Sequence, residues 1–275
     1  MDIIQRLPFP DEVCRKIFLF ACKTQHIGLG VEVLKNKLNM DHLNLPEKDE
    51  DVTCIDKDVI LNPTSLDAID INSYTCFKNL TSIRLYGTDV FGDIKHLMTL
   101  TNLTELFINK TGVTGDIMHL GSLLNLTDLF IGGTGVTGDI IHLKSLPKLT
   151  VINFDETGVT GDIIHLKSLP NLTIISLNET GVTGDIIHLK SLSKLRAVII
   201  DDTGVTGDIV HLKSLPNLSI INLATTGVTG NIMRIGSLQN LTMIRLGGTS
   251  VFGNREAFND YRKSKGLKVC LSIDI

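Results

Sequence analysis

The chain has 275 residues, 43% hydrophobic and 20% charged, which allows a sizeable buried core and carries no signature of disorder. A formal net charge of −4, with Lys and Arg spread along the sequence, lacks the basic clustering of a nucleic-acid binder, so nucleic acid is not an expected partner. The five cysteines (Cys14, Cys22, Cys54, Cys76, Cys270) fall at irregular spacing without a CxxC pair, which points to reduced thiols inside the cell, in the cytoplasm, rather than to a metal or redox site. An acid at position 2 and an apolar run of only Ile17 to Cys22 imply neither a signal peptide nor a membrane span.

Residues 1–65 do not repeat. Pro10-Asp11-Glu12 is a helix start, and Val13, Ile17, Phe20 and Ala21 come after it at helical spacing until Gly28 and Gly30 interrupt. Val31, Leu34 and Leu38 suggest a second helix, and Glu47 to Asp51 a charged linker. This segment is expected to be a helical cap over the open end of a repeat array.

From Thr88 onward the sequence is periodic: Thr88, Thr111, Thr134, Thr157, Thr180, Thr203, Thr226 and Thr249 recur every 23 residues. The unit opening at Thr157 contains Leu172, Ile175 and Leu177, an LxxLxLxx pattern ending at Thr180. The apolar alternation around Ile175 and Leu177 predicts one strand per repeat, stacked in parallel at about 4.8 Å. Ile163, Leu166 and Leu169 return every third residue, the spacing of a 3₁₀ or short helical turn. Asp70, Ile71, Phe77 and Leu80 hold the same register at the front. At the rear, Phe258, Tyr261, Leu267 and Val269 continue the core columns, while Arg255 to Lys265 turns polar and helical as a capping repeat requires.

On these residues the chain resembles the leucine-rich-repeat family, and its Val-Thr-Gly-Asp-Ile segment resembles the LxGxIP segment of the plant-type class, with Thr where the family places an Asn ladder. The resemblance covers about residues 66–275. It implies an α/β solenoid, a right-handed arc with a parallel β-sheet on the concave face and 3₁₀ or short helical turns on the convex face. The expected organisation is a helical cap and linker over 1–65 and the solenoid over 66–275, its capping repeat starting at about 250. The stretch Leu7 to Phe20 also resembles the opening helix of an F-box, although the chain has no Trp where an F-box carries one.

Repetition also defines columns of polar residues. The Thr88 column is expected to satisfy buried backbone. Two further Thr columns, one holding Thr114 to Thr229 and one holding Thr81 to Thr242, raise a resemblance to the threonine lattice of ice-binding proteins. Asp93, Asp116, Asp139, Asp162, Asp185 and Asp208 precede the return turn, where they can cap N–H groups and meet the His column three residues on, His96 to His211. A straight ladder of imidazoles does not converge on a metal. Gly133, Gly135 and Gly138 spell GxGxxG, but the repeat accounts for them and no βαβ unit comes after, so no cofactor is expected. Asn-x-Ser/Thr sequons at Asn79, Asn102, Asn109, Asn125, Asn171, Asn178, Asn217 and Asn240 are mostly one repeat position copied. No catalytic constellation is present.

Strand residues between the core leucines should face the concave side, and Val151, Ile174, Ile199 and Ile220 there form an apolar patch that marks a protein-binding surface. Phe107 and Phe130 extend it, and Asp155, Glu156, Glu179, Asp201 and Asp202 form an acidic rim favouring a basic partner edge. The stripe Met118, Ile141, Ile164, Ile187, Val210 and Met233, flanked by Lys144, Lys167, Lys190 and Lys213, is a second candidate surface. The expected function is non-enzymatic: an interaction or structural subunit, alone or within a larger complex, with an F-box-like substrate receptor of a ubiquitin ligase and, further off, an ice- or surface-binding protein as alternatives.

Overall fold

The computed structural model describes residues 54–56 and 70–275; the expected N-terminal helices, including the F-box-like stretch, lie outside them. Each repeat lays down two short strands and one 3₁₀ helix. After Leu172, the strand Ile174–Ser176 is succeeded by the strand Gly181–Asp185 and the 3₁₀ helix Ile186–Ser191. First strands assemble into a ten-stranded parallel sheet running from Cys54–Asp56 to Ser272–Asp274. Second strands form an eight-stranded parallel sheet from Phe91–Asp93 to Ser250–Phe252. Cys54–Asp56 pairs in parallel with Ser82–Arg84, so the first sheet begins ahead of residue 66.

The sequence pattern predicts one strand per repeat, and the structure has two. The second is the Gly-Val-Thr-Gly-Asp segment, whose glycines lower its intrinsic strand preference but whose Val is buried in every copy, Val113 and Val182 among them. In one turn of the solenoid, Val182, Ile186, Leu189, Leu192, Leu195, Val198 and Ile200 are all buried, and each stacks on its copies before and after. Burying side chains of this size contributes roughly 1.5–3 kcal/mol apiece. The core is one continuous column of such layers.

Polar residues fix the layers against each other. Asp162 Oδ1 accepts the Ile164 N–H at 2.7 Å and so caps the 3₁₀ helix Ile163–Ser168; the Asp93, Asp116, Asp139, Asp185 and Asp208 carboxylates do the same in their repeats. Each capping carboxylate also rests on a glycine of the next repeat. Gly184 adopts φ +112°, and a methyl group there would collide with Asp162 Oδ1, so two demands select glycine at once. The expected Asp–His pairs do not form: among the described residues no Asp–His ion pair exists, because the carboxylates turn to backbone N–H groups instead.

The three Thr columns part company. Thr180 Oγ1 donates to the Leu177 carbonyl at 2.7 Å inside the corner between the sheets, as do Thr88, Thr111, Thr134 and Thr157 to their own third-preceding residues. Thr104, Thr127, Thr150 and Thr173 form a ladder, each hydroxyl donating to the carbonyl one repeat earlier. Only the Thr114 to Thr229 column faces outward, on the second sheet. No single threonine lattice results. The sequons have a structural explanation in the same place: Asn102, Asn125, Asn171, Asn217 and Asn240 donate Nδ2 to carbonyls of the previous repeat, beside the Thr ladder.

Helix α1, Arg255–Ser264, closes the C-terminal end, with Phe258 in the core. Tyr261, Leu267 and Val269, expected in the core columns, are only half-buried; Cys270 and Ile273 are buried instead, the last strand beginning at Ser272. Arg262 is wholly buried and donates to the carbonyls of Gly236, Leu238, Leu241 and Lys268 at 2.7–3.0 Å. These carbonyls belong to the last turns of the stack and its exit loop, which have no further repeat to bond with. Arg262 substitutes for that missing neighbour.

Denaturant unfolding weighs these bonds. Thr180→Val keeps the shape but leaves the Leu177 carbonyl without its hydroxyl donor, so the variant is expected to lose about 1–3 kcal/mol. Arg262→Met leaves several buried carbonyls without donors and is expected to cost more, about 3–5 kcal/mol. Equal and negligible losses in both would contradict these bonding assignments.

Candidate functional site

The first sheet pairs residues 23 apart, Ile174 with Ala197 and Ala197 with Ile220. That register lines up two rows of outward side chains. The first row runs Ser82, Glu105, Asp128, Val151, Ile174, Ala197, Ile220, Met243, and from Val151 on it is apolar across five adjacent strands. The second runs Arg84, Phe107, Phe130, Asn153, Ser176, Ile199, Asn222, Arg245. Val151, Ile174, Ile199 and Ile220 are half-buried, shielded by their neighbours on the sheet, and Ala197 is buried. The structure thus brings Val151, Ile174 and Ile220 together in one row, joined by Met243; Ile199 stands in the other row, diagonal to them.

Phe107 and Phe130 stack with centroids 4.6 Å apart, and the Arg84 guanidinium lies over Phe107 at 5.9 Å. Arg84 Nη2 also donates to Glu105 Oε2 at 2.6 Å, and Ser82 Oγ reaches the same oxygen. Asp128 Oδ2 lies 2.7 Å from the Thr127 hydroxyl, whose one proton it shares with the Thr104 carbonyl.

The acidic rim divides in two. Asp155 is not free: it accepts from Asn153 Nδ2, Ser176 Oγ and the Asn178 N–H, all at 2.8 Å. Asn153 in turn accepts from Asn109 two repeats away, across Gly132, where any side chain would collide with Asn153 Oδ1. Asn178 Oδ1 passes the chain on to the Asp201 N–H. This mixed Asn–Asp–Ser network lies two residues ahead of the buried Thr column and crosses two columns, so single-column reading misses it. Glu156, Glu179 and Asp202 are exposed at a left-handed corner, φ +49° to +56°, where Gly87, Gly133 and Gly248 stand in other repeats. Their carboxylates point out to solvent as a file one repeat apart.

The GxGxxG glycines resolve into this frame. Gly133 is a corner residue, Gly135 opens a strand, and Gly138 lies under the Asp116 carboxylate. The groove lined by Thr88, Asp89, Lys110, Thr111, Gly112 and Gly133 is open and presents no helix N-terminus to a phosphate. Among the described residues no three His, Cys, Asp or Glu side chains converge on a point, and no helix is long and apolar enough to cross a membrane.

No protein-family model matches the chain, and no curated protein sequence does. Solved structures do. The plant peptide hormone receptor RGFR1, in complex with RGF2, superposes with a TM-score of 0.61 at 26% identity over 67% of this chain and 31% of that one. The chain spans less than a third of that receptor's length. Internalin C2 of Listeria monocytogenes gives 0.59 at 21% over 91% of this chain and 96% of its own. A plant ice-binding protein gives 0.61 at 15% over 88% of each. The last two are similar in fold alone.

The Arg84–Glu105 pair supplies a pH test. Burial pushes the Glu105 carboxyl up, and hydrogen bonds from Arg84 and Ser82 together with the Arg84 charge outweigh it, leaving it below its ordinary value. A depressed folded value means stabilisation that is present above the unfolded pKa of about 4.3 and lost as pH falls through the folded one. Both side chains are partly exposed, 47% and 31%, so the contribution is about 1 kcal/mol or less. Wild type should melt above Glu105→Gln at neutral pH, and the gap should shrink as pH falls below the unfolded value of about 4.3 and through the folded one. A gap that widens in acid would contradict the assignment.

Proposed function

We propose that this leucine-rich-repeat chain is a non-enzymatic binding module that holds a protein or peptide partner against its concave sheet. The observation that carries the reading is the apolar row from Val151 to Met243. Its residues alternate with Ile152, Ile175, Val198, Ile221 and Ile244, which already fill the core, so the row contributes little to the fold and offers contact area to something else. The Phe107–Phe130 stack extends the surface toward the N-terminal repeats, with rigid aromatic area of the kind that anchors interfaces. Beside it, Glu156, Glu179 and Asp202 would favour a partner with basic residues along one edge. The Asp155 carboxylate serves as part of the supporting network rather than as a contact, whereas Asp201 gives that network only its N–H and keeps its carboxylate for the rim.

A solved structure agrees with this use of the fold: RGFR1 is a receptor captured with RGF2. The compartment we assign is intracellular, on the cysteine pattern, with the sequon asparagines Asn102, Asn125, Asn171, Asn217 and Asn240 engaged beside the Thr ladder. The ice-binding alternative narrows to one exposed Thr column, Thr114 to Thr229 on the second sheet, because the three Thr columns lie on different parts of the solenoid. An F-box-like role depends on residues outside those described.

The test is Ile174→Asp with Ile199→Asp. Two carboxylates in a desolvated contact should weaken partner binding by roughly a hundredfold, while the half-exposed positions limit the stability loss to about 1 kcal/mol. Affinity purification with quantitative mass spectrometry, beside thermal melting, reads both. Loss of folding would mean the row belongs to the core, and normal folding with every partner retained would remove the concave sheet as the binding face.

A further inference from the structure

Lysines that are dispersed in the sequence are not dispersed on the solenoid. Lys144, Lys167, Lys190 and Lys213 are each 23 residues apart, so the stacking of the 3₁₀ helices Ile140–Ser145 through Ile209–Ser214 sets them in single file on the face away from the concave sheet. All four are exposed. Among the described residues none of their ammonium groups has an ion-pair or hydrogen-bond partner, unlike Lys95, which pairs with Asp93, or Lys148, which bonds Asn125.

The surroundings of the file are one-sided in charge. The return segments 94–104, 117–127, 140–150, 163–173, 186–196, 209–219 and 232–242 contain no Asp or Glu at all. The nearest carboxylates, Asp139, Asp162, Asp185 and Asp208, are committed to capping the helices. A net charge of −4 therefore hides two opposed faces, a cationic one here and an acidic corner at Glu156, Glu179 and Asp202. Beside the lysines runs a second stripe, Ile141, Ile164, Ile187 and Val210, half-buried and presenting an apolar flank to the same file.

We propose that this face is a second docking surface, independent of the concave sheet, and that its occupant is an acidic, partly apolar protein segment lying along the repeat axis. Charge complementarity requires acidic residues on the occupant, and the aliphatic stripe requires apolar ones interleaved with them. Nucleic acid would use the lysines but not the stripe, and the return segments hold no Phe, Tyr or Trp on which a base could stack. A bilayer is planar, and a convex ridge meets a plane over only part of its length.

The experiment uses the full chain and a labelled peptide of alternating glutamate and leucine, with the same peptide carrying glutamine for glutamate as control. Binding measured by fluorescence anisotropy should weaken as salt rises and should fall by roughly tenfold or more in the variant Lys144→Gln, Lys167→Gln, Lys190→Gln, Lys213→Gln, whose melting temperature should be unchanged. Reversing the acidic corner with Glu156→Lys, Glu179→Lys and Asp202→Lys should not weaken it. A DNA duplex and anionic phosphatidylserine vesicles are run alongside. The proposal fails if the acidic peptide binds no better than its glutamine control, if the lysine variant binds it as wild type does, or if DNA or vesicles bind the lysine face more tightly than the peptide.

Discussion

Hydrogen-bond register between neighbouring repeats governs the outside of this molecule. On the first sheet Ile174 pairs with Ala197, 23 residues on; on the second, Thr183 pairs with Gly204, 21 residues on. Equivalent residues on the first sheet are therefore one strand apart, about 4.8 Å, whereas on the second they are one strand across and two residues along, about 8 Å. A stack that advances by different lengths on two sides cannot be straight. It bends or coils with the first sheet on the short side, which makes that sheet concave and crowds its outward side chains into half-buried rows. The Thr–Gly contacts of the second sheet belong to the same offset: Thr183 lies against Gly204, where a larger side chain would meet its methyl group.

Much of this was legible in the sequence, for a physical reason. A repeat unit must bury the same side of itself on every copy, so apolar positions recur at fixed places, and Leu166, Leu169, Leu172, Ile175 and Leu177 all landed in the core. The three-residue spacing of the return segment marked the 3₁₀ helix, and the buried Thr hydroxyl and the capping Asp could be inferred from orphan backbone groups. The second sheet was hidden because Gly-Val-Thr-Gly-Asp buries a single Val between glycines, too little alternation to mark a strand. Arg262 was hidden because its role is set by the end of the stack, a place where no repeat copy exists for comparison.

Charge was the feature most distorted by linear reading. Residues spaced every 23 positions look scattered along a chain and become neighbours on a solenoid, so Lys144 to Lys213 and Glu156 to Asp202 form opposed files. Not every charge in a file is available: Asp155 stands in the rim by sequence but is bonded three ways within the network that begins at Asn109. The candidate surface on the concave side is consequently a narrow one, apolar row and aromatic pair, bordered by a rim on which Glu156, Glu179, Asp201 and Asp202, unlike Asp155, have no carboxylate bond among the described residues.

The difference in register between the two sheets can be measured in solution. Nitroxide labels placed four repeats apart, on Asp128 and Ile220 for the first sheet and on Thr114 and Thr206 for the second, report the two advances by pulsed electron spin resonance. The account predicts about 19 Å for the first pair and about 30 Å for the second. Equal distances would mean a straight stack with one register, and the concave face on which the functional reading rests would not exist.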